Sequence, residues 1–397
     1  AALYSRTVSK PNNKNPILMM LSVHPSRALM DEAFVILVQN VPPGFQVTLH
    51  ALHRCEDGHR WEACAHYVAD SSGNINAADD CSVGGSYFGV EPMGLLWSLK
   101  PVPGSKPGLR WVRCACDPTH SNIHVNGPQK LHCCFGPPKG PGPFPGLLDL
   151  WGGGGQLMEY RSALLASHGI ASLALDYLTR TDQSLTVPVS VQTAYRVLQQ
   201  HPQVLGSRIA MLGLSLGTVF TLKMAASLSP QLRCAVCISG SHIQPVSGEG
   251  GVMCLCYRNF EKISFSEQDE VIWRGLLLPI PSDPSLKVDV GRLQCPLLLV
   301  VGEDDQNWCS HESATDMKQM MERAGNDQLL TLLSYPGTGH LIEPPYTPHT
   351  PSMMVLWGGK TPEHSAAQED SWRKIVTFLR RNLYGGSDPH AVNLSHL

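Results

Sequence analysis

The sequence predicts two domains of different class: an all-β sandwich at the N-terminus, then a mostly parallel sheet with helices on both faces. Three observations lead there. Short apolar runs with period-two alternation fill the first third of the chain. A stretch dense in proline and glycine, GPPKGPGPFPG at residues 136–146, follows. Beyond it, apolar runs of strand length alternate with segments of helix length up to residue 383. A length of 397 residues, at roughly 100–200 residues per domain, fits two.

Residues 1–24 are read as a disordered leader; the first 30 residues carry Arg6, Lys10, Lys14 and Arg27 and no acid. The first domain is expected over 25–135, with strands at 34–38, 46–52, 61–68, 95–99 and 109–112. In the second of these Val47, Leu49 and Ala51 alternate with Thr48, His50 and Leu52, as a half-buried strand requires. Pro42-Pro43-Gly44, Asp57-Gly58, Ser71-Ser72-Gly73-Asn74 and Pro103-Gly104 supply the turns. Residues 136–146 are expected to be the linker. The second domain, 147–385, has expected strands at 147–151, 170–175, 209–212, 234–238, 297–301 and 329–333. Helices are expected at 156–167, 189–200, 218–227, 312–324 and 371–383. Residues 240–290 interrupt this rhythm and read as an insertion or lid. Residues 386–397 read as a tail.

Composition removes several classes of function. Hydrophobic residues make up 43% and charged residues 16%, which excludes a disordered chain. Lys+Arg 30 against Asp+Glu 33 leaves a net charge of -3, so nothing points to nucleic acid. No apolar run reaches the ~18–20 residues of a membrane span. The 13 cysteines are scattered. Cys234-x-x-Cys237 falls inside an apolar strand, and no second CxxC or paired His stands at finger spacing. Reduced thiols in a reducing compartment are expected, with no metal site.

Gly213-Leu214-Ser215-Leu216-Gly217 matches G-x-S-x-G. The bare pattern is weak, and a capping serine in a glycine-rich turn would also produce it. Its setting is informative: an apolar strand precedes it and a helix follows, as a nucleophile elbow needs. Ser215 is therefore the expected nucleophile. The strand at 297–301 ends in Gly302-Glu303-Asp304-Asp305, three carboxylates of which one would orient the base. His340 stands in Tyr335-Pro336-Gly337-Thr338-Gly339-His340, directly after the last strand, and is the expected general base. His311 and His364 read as surface groups. Two backbone donors are needed for an oxyanion. One is expected from Leu216, the other from the Trp151-Gly152-Gly153-Gly154-Gly155 loop, at Gly152 or Gly153. A merely flexible turn is the alternative there.

At these residues the chain resembles the type I acyl-CoA thioesterase and bile acid-CoA:amino acid N-acyltransferase family. The matching text includes Gly84-Gly85-Ser86-Tyr87-Phe88-Gly89-Val90-Glu91-Pro92-Met93-Gly94-Leu95-Leu96-Trp97, Asp149-Leu150-Trp151-Gly152-Gly153 and Glu159-Tyr160-Arg161. It continues in the elbow, in Gly302-Glu303-Asp304-Asp305-Gln306-Asn307-Trp308, and in Tyr335 to Tyr346. The resemblance implies an α/β-hydrolase domain behind the β-sandwich and an acyl-CoA substrate. It selects Asp305 as the acid, with Asp304 as fallback.

Family members committed to amino-acid transfer carry Cys at the nucleophile. An acyl-Cys is a thioester that amines attack readily, whereas an acyl-Ser ester favours water. Ser215 therefore tilts the expectation to hydrolysis of fatty acyl-CoA, with glycine or taurine transfer as the alternative. No cofactor is expected beyond the coenzyme A of the substrate. The final Ser395-His396-Leu397 resembles a peroxisomal address and implies a peroxisomal import receptor as partner. Peroxisome is the expected compartment, with cytosol and mitochondrion as alternatives.

Overall fold

The computed structural model describes residues 2–7, 19–55, 58–105, 131–153, 157–178, 189–228, 231–244 and 259–385. Two compact units divide the chain: Ala1–Arg113 with Glu343–Thr350, and Cys114–Ile342 with Pro351–Leu397.

The first unit holds β1 (Ala2–Thr7), β2 (Met20–His24), β3 (Val35–Gln39), β4 (Gln46–Arg54), β5 (Arg60–Val68), β6 (Ile75–Asn76), β7 (Gly84–Gly85), α1 (Gly94–Trp97) and β8 (Lys100–Pro101). Two antiparallel sheets form, β1-β4-β5-β7 with β8 beside β5, and β2-β3-β6. Val47, Leu49 and Ala51 of β4, Trp61, Ala63, Ala65 and Tyr67 of β5, and Ile36 and Val38 of β3 bury in one shared core. Sheets that share a core face are a sandwich, as the alternation predicts. Tyr346, from the returning segment, packs in the same core.

Two expectations fail here. Part of the supposed leader is ordered: β1 pairs with β4 from Ala2↔Leu52 to Thr7↔Val47, and β2 pairs with β3. Composition misses this because the ladder satisfies backbone groups, to which side-chain chemistry is blind. The strand expected at 95–99 is instead the single turn α1. A four-residue apolar run does not by itself distinguish helix from strand. The strand expected at 109–112 lies outside the described residues.

The second unit is built on β9 (His132–Gly136), β10 (Phe144–Leu150), α2 (Tyr160–Ser167), β11 (Ala171–Asp176), α3 (Val189–Gln200), β12 (Val204–Leu214), α4 (Leu216–Leu228) and β13 (Cys234–Ile238). It continues with β14 (Ser264–Phe265), β15 (Val271–Ile272), β16 (Leu297–Gly302), α5 (Ser310–Ala324), β17 (Leu330–Tyr335) and α6 (Thr361–Tyr384). Seven strands order as β17-β16-β13-β12-β10-β11-β9. All neighbours run parallel except β9, which is antiparallel to β11. This is the α/β-hydrolase arrangement. Strands β11, β13 and β16 are buried along their whole length, because helices cover both faces. Leu173, Met211, Cys237 and Leu299 face a core shared with α3, α4 and α5. Ala174, Leu212, Val236 and Val300, one residue along in each strand, are buried outside that cluster. Left-handed Gly325 and Gly385 end α5 and α6.

The Pro/Gly stretch is not the domain linker. It joins β9 to β10 within the second unit, and β9 pairs with β11 over Ser172↔Gly136 to Asp176↔His132. The five-residue run HCCFG carries no alternation, so only its partner strand reveals it. The described cysteines form no disulfide, and Cys234 and Cys237 are buried in β13. Among the described residues no group of three or more His, Cys, Asp or Glu gathers to hold a metal, and no helix is long and apolar enough to cross a membrane.

Candidate active site

Ser215 sits between the end of β12 and the start of α4 with φ 54°, a left-handed conformation that costs a non-glycine residue roughly 1–3 kcal/mol. Its surroundings hold it there. The Ser215 N–H donates to the Ile238 carbonyl at 2.8 Å, and Thr218 N–H donates to the Ser215 carbonyl at 3.0 Å. A Cβ on Gly213 would lie 2.5 Å from the Gly217 backbone, and one on Gly217 would lie 2.2 Å from the Leu150 carbonyl oxygen. Both elbow glycines are therefore demanded by close backbone approach. The turn lifts the Ser215 side chain at the N-terminus of α4, where the helix dipole favours negative charge.

The base and acid arrive from two loops at the same end of the sheet. His340 Nε2 lies 2.9 Å from Ser215 Oγ, and His340 Nδ1 lies 2.8 Å from Asp305 Oδ2. Asp305 is wholly buried and His340 is 1% exposed. The carboxylate is otherwise satisfied: Oδ1 accepts from the Asn307 and Trp308 N–H groups at 3.0 and 2.8 Å, and Oδ2 accepts from Ser310 Oγ at 2.7 Å. A buried carboxylate that accepts this many bonds is fixed in place and kept as an acceptor for the imidazole. The imidazole then donates from Nδ1 and presents Nε2 as acceptor to the serine.

The other two carboxylates of the turn face elsewhere. Asp304 accepts from Gly359 N–H and from Gln306 Nε2 at 2.8 and 2.7 Å. Glu303 accepts from Ser334 Oγ at 2.9 Å. Asp305, not Asp304, reaches the imidazole.

Sequence reasoning missed four supports of this arrangement. Ser310 begins α5 five residues after Asp305, a spacing legible only once that helix start is known. Trp357 stacks on the His340 ring at 5.6 Å and 16°, and its carbonyl accepts the His340 N–H at 2.9 Å. Arg274, from the 240–290 insertion, donates to the Asp305 carbonyl at 2.7 Å and pairs with Glu312. His364 is not a surface group. It is 1% exposed, its Nδ1 accepts the Gly339 N–H at 3.1 Å, and its Nε2 donates to the Leu341 carbonyl at 2.8 Å. It thus brackets His340 on both sides, as the neutral Nε2–H tautomer. His311 is half-buried beside Ser334 Oγ.

On the opposite flank β10 ends at Leu150 and delivers Trp151, Gly152 and Gly153. A Cβ on Gly152 would lie 3.2 Å from Ser215 Cβ and 3.8 Å from its Oγ, and one on Gly153 would lie 3.9 Å from a Leu216 methyl. Gly154 and Gly155 lie outside the described residues. Beneath this loop Asp149 and Arg161 form a buried ion pair, Ser162 Oγ donates to Asp149 at 3.2 Å, and Arg161 Nη2 reaches the Leu150 carbonyl at 3.5 Å. Cys309, beside the acid turn, is buried and its thiol is pushed up to about 12, chiefly by desolvation, so it stays an inert thiol.

Comparison with known proteins identifies the family. Residues 191–385 match the model described as BAAT / Acyl-CoA thioester hydrolase C terminal, and residues 31–133 match the Acyl-CoA thioester hydrolase/BAAT N-terminal region. A peroxisomal succinyl-coenzyme A thioesterase of Mus musculus is 34% identical over 91% of this chain and 96% of its own length. Acyl-coenzyme A thioesterase 1 of Rattus norvegicus is 32% identical over 94% and 98%. A bile acid-CoA:amino acid N-acyltransferase of Mus musculus is 34% identical over 91% and 97%. With both domains matched in order and relatives aligned over nearly their whole length, this chain belongs to the acyl-CoA thioester hydrolase/BAAT family.

Proposed function

We propose that this chain hydrolyses fatty acyl-CoA thioesters through an acyl-serine intermediate. The observation that carries this is the unbroken line Ser215 Oγ, His340 Nε2, His340 Nδ1, Asp305 Oδ2, with contacts of 2.9 and 2.8 Å. Ser215 attacks the thioester carbonyl while His340 Nε2 takes its proton, and Asp305 stabilises the imidazolium. The oxyanion is met by backbone N–H groups of Leu216 and of Gly152 or Gly153, helped by the α4 N-terminus. Collapse expels the coenzyme A thiolate, which takes the proton from His340. Water activated by His340 then attacks the acyl-serine and releases the free acid. Every group in this sequence is a side chain or backbone amide, and the reading needs no cofactor.

The nucleophile being Ser supports hydrolysis over transfer to an amine, since an acyl-Ser ester lacks the aminolysis bias of an acyl-Cys thioester. The test offers purified protein fatty acyl-CoAs of graded length and a bile acid-CoA, with and without glycine or taurine, and scores free acid against amide. Free acid is expected as the main product, with a loss on the order of a million-fold for Ser215→Ala, since the triad members act as a unit. Amide as the main product would reverse the assignment to amino-acid transfer. Normal hydrolysis by Ser215→Ala would remove the mechanism altogether.

For compartment, the reading is peroxisomal, supported by the Ser395-His396-Leu397 pattern and by a peroxisomal relative, while another relative is mitochondrial. The tripeptide lies outside the described residues. A fluorescent fusion on the N-terminal side should be punctate with the tripeptide and diffuse without it.

A further inference from the structure

We propose that Tyr177 is a positioning residue for the oxyanion-binding backbone. It sets the plane of the Trp151–Gly152 peptide so that the Gly152 N–H faces the carbonyl attacked by Ser215. The inference rests on Gly152 being an oxyanion donor.

Tyr177 follows β11 directly, and its hydroxyl donates to the Trp151 carbonyl at 2.5 Å. That carbonyl and the Gly152 N–H are the two polar ends of one planar peptide, and in a trans peptide they point to opposite sides. Holding the oxygen therefore aims the N–H. The direction matters because Gly152 lies against the nucleophile, a Cβ there being 3.8 Å from Ser215 Oγ. The carbonyl is also enclosed: a Cβ on Gly217 would lie 2.9 Å from its oxygen. A hydrogen bond in so confined a place has no ready substitute.

The phenol is itself held. Its ring meets Phe220 edge-on at 5.2 Å and 71°, and Phe220 is on α4, the helix that begins immediately after Ser215. Nucleophile and oxyanion loop are thus registered through one aromatic contact and one hydrogen bond. Burial raises the Tyr177 pKa, so the hydroxyl remains a donor across the working pH range. A bond accepted at the carbonyl also polarises the amide it belongs to and strengthens its N–H as a donor. Tyr177 touches no reacting atom, so its effect is confined to states in which charge has moved onto the substrate oxygen.

Two acyl-CoA analogues of equal chain length separate this role from packing. One is a thioether without an electrophilic carbon. The other is a trifluoromethyl ketone, to whose carbonyl Ser215 Oγ adds while His340 Nε2 takes the proton, leaving an oxyanion. The wild-type protein is expected to favour the ketone. Tyr177→Phe removes one oxygen and keeps the ring on Phe220. It is expected to leave KM and thioether affinity within about threefold, while kcat and ketone affinity fall together by about tenfold. Affinities are compared below each protein's melting temperature. An unchanged ketone-to-thioether ratio, or equal weakening of both ligands, would overturn the role of Tyr177. A wild-type protein with no ketone preference would overturn the oxyanion reading beneath it, and the Tyr177 proposal with it. A wild-type preference that Ser215→Ala abolishes and Tyr177→Phe retains would remove Tyr177 alone.

Discussion

Ser215 meets side chains on its His340 flank and main chain on its Gly152 flank. On the first flank an imidazole, a carboxylate and a hydroxyl line up through bonds of 2.7 to 2.9 Å. Each of these groups has a chemical identity that one substitution erases. On the second flank the main chain of Gly152 comes nearest, where a Cβ would press to 3.2 Å from the Ser215 Cβ. The lesson is that the two flanks fail differently. Damage to the acid–base flank removes proton transfer, whereas damage to the glycine flank tilts amides away from a developing charge. The first is expected to be the larger loss for a single atom changed.

The sharpest way to break this contrast is at the paired acids. Asp305→Asn keeps the shape of the side chain but removes the charge that orients the imidazole, and should lower kcat by about ten-thousand-fold. Asp304→Asn touches only the bonds from Gly359 and Gln306, and should keep kcat within about tenfold while lowering the melting temperature. Steady-state kinetics on both variants decide it; the opposite ranking would move the acid by one residue.

A smaller effect is expected one step further out. Ser310→Ala deletes one of the three donors other than His340 that hold Asp305. Bonds to charged groups contribute about 1.5–3 kcal/mol, and only part of that acts on the imidazole. A roughly 5- to 30-fold fall in kcat at unchanged KM is expected, largely restored by Ser310→Thr. A drop as large as that of Asp305→Asn would mean that Ser310 acts directly on the reacting groups.

The smallest expected effect concerns the anchoring of α5, which carries Ser310. Asp316 on that helix accepts from His242 at 2.7 Å and Lys287 at 2.9 Å. The His242 hydrogen bond is the main cause holding its carboxyl down at about 2, with Lys287 assisting. His242 is wholly buried, and that burial lowers its pKa from 6.5. A lowered folded-state pKa stabilises the fold above the unfolded value and loses that contribution as pH falls through the folded one. His242 therefore contributes a loss of stability as pH drops below about 6.5, and Asp316 a further loss below about 3.8 toward 2. Melting temperatures measured from pH 7 to 4 should fall less steeply for His242→Gln than for wild type. Parallel curves would show that His242 binds no extra proton on unfolding.

Much of the second unit is legible in the amino-acid sequence alone. The runs at 234–238 and 297–301 are continuous and apolar because both sheet faces are covered, and α3 and β13 fall where the periodicity places them. Ser215 was readable because the elbow is local: five consecutive residues carry both the steric demand and the chemistry. His340 and Asp305 were readable as loop residues after strands, although spacing alone left three adjacent carboxylates, and the family resemblance chose among them. What stayed hidden is made of partners distant in sequence. β1 and β9 exist because β4 and β11 offer unpaired backbone edges. His364 and Arg274 find their roles 24 and 31 residues from His340 and Asp305.

The sequence by itself determined the two domain classes, the elbow and the residue types able to move a proton. Those follow from periodicity, glycine sterics and side-chain chemistry, which act within a few residues. Only the tertiary structure decided which donors hold the Asp305 carboxylate, which end of a buried histidine carries its proton, and which hydroxyl holds the Trp151 carbonyl. These are matters of a few tenths of an ångström between groups brought together from far along the chain, fixed by close packing that no local pattern encodes.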